Sequence, residues 1–309
     1  AVENRRPAEA AEDVPEVEAV DYDPAEEVPP EGEVTEARAI PQVAEPTAAE
    51  RRNHESVHLP FRSWCEHCMR GRGRSLGHYR RGDGGQLLTA DGPIPVSLDY
   101  AYLGDRGDPT AEAAETLPIL VGKCHKTKLK MALPLRAKGA TDAFGPKALH
   151  GWLRLLGFNR LVLKSDQERS LVAHKRASAD MFIEGVSVTL EESPVSESQS
   201  NGSAEQAVLS VQQQTRTLLS ALESRIGTKI PVTAAIITWM VMHAAFCLNV
   251  FERSADGRTA FERWKNRTWH VEMPEFGEIV CYKRKVPGKL LARFERGIFL
   301  GMNMATTER

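Results

Sequence analysis

Two histidines and two cysteines have the types and spacing of a metal site. His54 and His58 stand four apart, the interval that stacks two rings on one face of a helix, and a Cys65-x-x-Cys68 pair follows after six residues. Together they offer enough nitrogen and thiolate ligands for a tetrahedral Zn²⁺, and His67 or His78 could stand in for one histidine. The same residues also read as ordinary thiols beside surface histidines. Arg70, Arg72, Arg74, Arg80 and Arg81 follow directly, suited to phosphate contact or to a solvated face.

Three carboxylates offer a second chemistry. Asp99 lies on the small, polar side of an alternating run, "IPVSLDYAYLG", and Asp166 ends a short apolar run, "RLVLKSD". Glu205 falls in the first turn of a long helical pattern. If the runs bearing Asp99 and Asp166 are neighbouring strands and the helix crosses their edge, the three acids converge. Crowded carboxylates repel unless a hard divalent cation neutralises them, and Mg²⁺ or Mn²⁺ prefers such oxygen ligands. Two such ions can clamp the attacking and leaving oxygens of a phosphoryl transfer. A lone Asp after a strand also serves as a turn or helix cap.

The elements that must position these groups can be read in order. Strand patterns at 94 to 104, 116 to 124 and 129 to 137 precede a helix at 141 to 157, with Ala148, Trp152, Leu155 and Leu156 as its apolar line and Gly157 as its stop. A strand at 160 to 166, a helix at 168 to 182 and a strand at 186 to 192 follow. The helix of Glu205 runs from Ala204 to about Arg225, with Val208, Val211, Leu218, Leu219 and Leu222 as its apolar line. Gln212 and Arg216 lie near the face of Glu205, where they would line the approach to the carboxylates or form a plain exposed polar face. Loops are expected at 105 to 115, which is acidic, and at 193 to 203. The order β β β α β α β α α predicts an α/β fold, a mixed sheet flanked by helices.

Charge is unevenly spread. The 309-residue chain has a net charge of -2, yet residues 1 to 50 hold fifteen acidic against three basic residues. The remainder holds 37 basic against 27 acidic residues. The acidic leader has one aromatic residue, Tyr22, and too little apolar surface to offset its chain entropy, which predicts disorder. A basic body suits a polyanionic partner, and Lys283, Arg284, Lys285, Lys289 and Arg293 in the tail are candidates to touch it. Five cysteines without an apolar leader at the start argue against a secreted disulfide framework and for an intracellular location. The missing initial Met suggests a chain cut from a longer one. Residues 230 to 251 carry no formal charge, long enough to span a bilayer. Pro231 and the polar Thr233, Thr238, His243 and Asn249 favour a helix buried in protein, so no membrane partner is expected.

"VSLDYAYLG", "LKSDQERSL" and "SNGSAEQAVLSVQQQTR" resemble the three acidic motifs of the retroviral-type integrase core, with 66 residues between Asp99 and Asp166 and 38 between Asp166 and Glu205. With "FGEIVCYKR" and "RGIFLGMN" downstream, the likeness is to the integrase part of copia-type retrotransposon polyproteins, over roughly residues 51 to 309. The resemblance implies a ribonuclease H-like core with a five-stranded sheet in the order 3-2-1-4-5. It implies Asp99, Asp166 and Glu205 as Mg²⁺- or Mn²⁺-binding catalytic residues, and DNA-end trimming followed by strand transfer into target DNA. It also implies a His-His-Cys-Cys zinc segment ahead of the core, here compact enough for a knuckle rather than a three-helix bundle. The expected layout is a leader (1 to 50), a zinc segment (51 to 82), a catalytic core (93 to 268) and a basic β-rich tail (269 to 309). DNA as partner, a homo-oligomer and action in the nucleus complete what the resemblance implies. A non-catalytic nucleic-acid-binding relic and a ribonuclease H-like nuclease remain as alternatives.

Overall fold

Alternating and continuous apolar runs become strands, and 3.6-period runs become the helices that cover them. A computed structural model of the chain describes residues 45–72, 92–104, 116–183, 185–192, 202–287 and 290–304. Residues from Ala44 onward group into one compact unit. The acidic leader up to residue 44, the acidic loop at 105 to 115, and Arg74, His78, Arg80, Arg81 and Lys289 lie outside the described residues.

Five strands, β1 (Ile94–Gly104), β2 (Thr116–Cys124), β3 (Lys130–Pro134), β4 (Arg160–Ser165) and β5 (Ser187–Glu192), form one mixed sheet in the order β3-β2-β1-β4-β5. The first three pair antiparallel, while β4 and β5 run parallel to β1. This is the strand order expected of the ribonuclease H-like core. Because β1 is central, both of its faces are covered rather than one, and Ser97 and Ala101 are buried along with Val96 and Leu98.

One face packs on α3 (Phe144–Leu156) and α4 (Arg169–Ala179), joining Val96, Leu98 and Tyr100 to Leu149, Leu153 and Leu171. The buried line of α3 is Leu149, Leu153 and Leu156, not the expected Ala148, Trp152 and Leu155. Those three are half-buried and line a groove of about 220 Å³ with β3, Met242 and Phe246. The apolar stripe of α3 is wide enough to serve two neighbours, so periodicity could not choose its centre. Gly157 ends the helix in the left-handed conformation (φ 77°), as expected of it.

The other face packs on α5 (Gly202–Ile226) and α6 (Ala235–Phe251), where Ala101, Ile119 and Val121 meet Ala207, Val211, Met240 and Ala244. The uncharged run at 230 to 251 is thus a core helix, although it begins at Ala235, after a turn closed by the Ala234 N–H on the Pro231 carbonyl. Among the described residues no helix is long and apolar enough to cross a membrane. Asn249 of α6 accepts from the Lys130 N–H and donates to the Lys130 carbonyl, each at 2.7 Å, which satisfies backbone groups on the edge strand β3.

Two short helices precede the sheet. α1 (Ala48–Glu55) opens two residues before the expected leader boundary, because Thr47 and Glu50 form a capping box. α2 (Glu66–Arg72) packs on α5, where a Cβ on Gly71 would meet Thr217 Oγ1 at 2.1 Å. After α7 (Ala260–Lys265), the tail forms a separate antiparallel pair, β6 (Ile279–Lys283) with β7 (Phe294–Ile298). Buried Phe276 and Phe299 anchor that tail against His243 of α6.

Candidate functional site

The four zinc-type ligands converge. One ligand atom from each of His54, His58, Cys65 and Cys68 lies within 4.8 Å of the others, and all four residues are buried. His54 Nε2 is 3.3 Å from Cys68 Sγ, and His58 Nδ1 is 3.4 Å from Cys65 Sγ. A tetrahedral zinc places one nitrogen and one sulfur ligand roughly 3.5 Å apart, so this donor set fits the ion. The expected helical stacking of the histidines is corrected, however. α1 stops at Glu55, and His58 reaches His54 by folding back with φ 53°, its N–H on the His54 carbonyl.

Hydrogen bonding from Cys68 first, then from both histidines, pulls the Cys65 thiol well below the ordinary range against the effect of burial. Cys68 is pushed up by its neighbour Cys65 and by burial. His67, the expected substitute, turns instead to Ser220 Oγ of α5 at 3.0 Å.

The carboxylates are placed by register. β1 and β4 pair in parallel from Ile94 with Leu161 to Ser97 with Lys164, and the same offset continued by two residues sets Asp99 level with Asp166. Asp99 lies opposite Val121 of β2, on the sheet face covered by α5, and Glu205 sits in the first turn of α5. Burial raises Asp99 to about 6, and the neighbouring Asp166 adds to this, with smaller contributions from Glu205 and Glu168. Mutual repulsion of this kind is what a divalent cation relieves, so the donor set suits Mg²⁺ or Mn²⁺. Among the described residues, though, the group whose ligand atoms come together as a metal site is the histidine-cysteine one.

Several residues at this corner carried no recognisable motif. The Glu168 N–H donates to Asp166 Oδ1 (3.3 Å), while the Glu168 carboxylate takes Lys138 Nζ at 2.8 Å and Ser170 Oγ at 2.5 Å. Burial would raise Glu168, but these hydrogen bonds outweigh it and hold the carboxyl below its usual range. The Lys138 ammonium also lies over the rings of Tyr100 (5.1 Å) and Tyr102 (4.8 Å). Lys175 is fully buried and donates to the Leu163 and Glu191 carbonyls, tying β4 to β5 just below Asp166. A loop lysine and a buried helical lysine look like any others in sequence, and only the fold brings them here.

The candidate DNA contacts divide. Arg70 is exposed beside Glu66, at 2.5 Å, and Lys283 and Lys285 are exposed on the tail. Arg284, also exposed, pairs across the strands with Glu295 at 2.5 Å. Arg72 is turned inward, donating to Gln214 Oε1 at 3.1 Å, with Glu252 at 3.8 Å and only 12% of its side chain exposed. The Arg216 guanidinium donates to the Gly71 carbonyl at 3.3 Å, and Gln212 donates to the Tyr102 carbonyl at 3.3 Å. Arg72 and Arg216 therefore fasten the histidine-cysteine segment to α5.

No family model and no curated protein matches the sequence. Among solved structures, the chain is similar to one in the cryo-EM structure of the simian T-cell lymphotropic virus intasome in complex with PP2A regulatory subunit B56 gamma. The identity is 15% and the TM-score 0.41, over 81% of each chain. It is also similar to the HTLV-2 integrase catalytic core domain in complex with magnesium, in trimeric form, at 9% identity and TM-score 0.37, over 55% of this chain and 95% of that one.

Proposed function

We propose that the chain is an integrase-type polynucleotidyl transferase of a copia-like element, acting on DNA in the nucleus as a homo-oligomer. The observation that carries this is that Asp99 of β1 neighbours Asp166 just past the end of the parallel strand β4, with Glu205 in the first turn of the helix on the same face. The histidine-cysteine cluster ahead of the sheet supports it. A divalent cation held by these acids would supply charge neutralisation for a phosphate and activation of a water or a 3'-hydroxyl. The protein's own share is positional. The Glu168 N–H fixes the Asp166 carboxylate, and Lys175 braces the strand ends beneath it.

The test is strand transfer by the full chain, with labelled duplex ends, a plasmid target and Mn²⁺ or Mg²⁺, alongside Asp166→Asn. Joined products from the native chain that vanish in the variant are expected. Nicking without joining would establish the nuclease reading instead. Binding by both proteins with neither reaction would leave a non-catalytic nucleic-acid-binding protein.

A further inference from the structure

The turn between β2 and β3, "KCHKTKLK" at residues 123–130, places four lysines and a histidine in eight positions with no acid among them. It is tightly built. The Lys128 N–H donates to the Cys124 carbonyl, the Cys124 N–H to the Leu129 carbonyl, and the Leu129 N–H to Thr127 Oγ1, with Lys128 in the left-handed conformation (φ 64°). Lys126 and Lys128 are exposed, and among the described residues neither has an ion-pair partner, whereas Lys130 has Glu252.

Strand register sets the base of this turn beside Asp99, while its outer lysines lie farther along, toward the start of β4 rather than its Asp166 end, with Lys126 Nζ over the Phe158 ring at 5.3 Å. Lys123 of β2, Ser97 of β1 and Lys164 of β4 form one row across the sheet, on the same face as Asp99 and two residues before it. That is a separation of about 7 Å along the strand. Lys123 Nζ donates to Gln206 Oε1 at 2.9 Å, beside Glu205, and Ser97 Oγ meets His125 Nε2 at 2.7 Å. Lys164 leans on Glu191 at 2.8 Å. Burial and the surrounding Lys128, Lys123 and Lys164 hold His125 down at about 4, so the ring is neutral and the row's charge is carried by the lysines. Lys123 and Lys164 thus border the anionic corner on one face, and Lys126 and Lys128 continue outward from Lys123 along the turn. Such an arrangement suits a polyanion whose one phosphate lies at the carboxylates while the adjoining phosphates lie on the lysines.

We infer that the β2–β3 turn is a sequence-independent docking surface for the DNA phosphate backbone, with Lys126 and Lys128 as its outer contacts and Lys123 as its inner one. This rests on the integrase-type reading and adds a contact site to it. The turn is preorganised by its own backbone hydrogen bonds, so binding orders only the lysine side chains.

The test is fluorescence anisotropy of a labelled duplex with the full-length chain at several salt concentrations, without added divalent metal. The double variant Lys126→Gln/Lys128→Asn removes two charges while keeping the turn, since Asn tolerates the left-handed backbone. Its reference is Lys229→Gln, a fully exposed lysine beyond the far end of α5, roughly 36 Å of helix from Gly202. The expected result is weaker binding and a log-affinity against log-salt slope shallower by about 2 in the double variant. Circular dichroism should be unchanged, and Lys229→Gln should bind like the native chain. A double variant with native affinity and slope overturns the docking surface and leaves DNA binding standing. A native chain that does not bind the duplex at all overturns both.

Discussion

Asp99 couples the candidate active site to stability. Its carboxyl titrates near 6 in the folded chain against an ordinary value of 3.8, chiefly because it is buried and secondly because Asp166 is level with it. Between those two values Asp99 binds more protons in the folded state than in the unfolded chain, so its contribution to stability is greatest below about pH 4 and is lost as the pH rises through 6. Asp99→Asn should therefore raise the metal-free melting temperature at pH 7, by the equivalent of about 1 kcal/mol after allowing for solvent screening, and change little at pH 4. Differential scanning fluorimetry at both pH values checks this. An equal effect at the two would show that Asp99 is not strained by its neighbours. Mg²⁺ added to the native chain should act in the same direction at pH 7.

The element that organises the molecule is α5. Its inner side buries Ala207, Val211, Leu218 and Leu222 on the sheet and α6, while Gln214, Thr217 and Ser220 receive the zinc segment. The Gln214 amide donates to the Val57 carbonyl at 2.7 Å, and Gly71 lets α2 approach so closely that any Cβ would strike the Thr217 backbone nitrogen at 2.7 Å. Gly71→Ala must push α2 away, and overpacking of this kind costs about 1–3 kcal/mol. Denaturant unfolding should show a loss in that range, and an unchanged midpoint would mean that α2 is not seated on α5. The apolar line of α5 could be read from its periodicity. The polar docking side could not, because buried Gln and Thr look like exposed ones until their partners are known.

Across the whole molecule, the histidine-cysteine segment and the tail are each fixed to a long helix: Arg72 and Arg216 on α5, Phe276 and Phe299 on α6. An ion held by the four converging ligands would therefore stabilise more than its own loop. At a thousandfold excess over its Kd, zinc contributes about 4 kcal/mol, equivalent to roughly 8–16 °C in a domain of this size. Chelation should lower the melting temperature accordingly, and Cys68→Ser should abolish both the bound zinc and the chelator's effect. A metal assay that finds no zinc in the purified native chain, with no response to chelator, would reduce the cluster to packed thiols and imidazoles.

The sequence by itself determined the alternation of strands and helices and the burial of the uncharged helix, because periodicity and turn residues act locally. It also placed the candidate zinc-type ligands close together, the cysteine pair and His54, His58 and His67 lying within fifteen residues, while the turn of His67 toward Ser220 was decided by the fold. Only the tertiary structure decided that Asp99 and Asp166 are neighbours, since this depends on the parallel pairing of β1 with β4 across more than sixty residues. It likewise decided that Arg72 turns inward, and that Lys123 lies in the row next to Asp99. A side chain's charge is written in the sequence, whereas its neighbours are set by strand order and register.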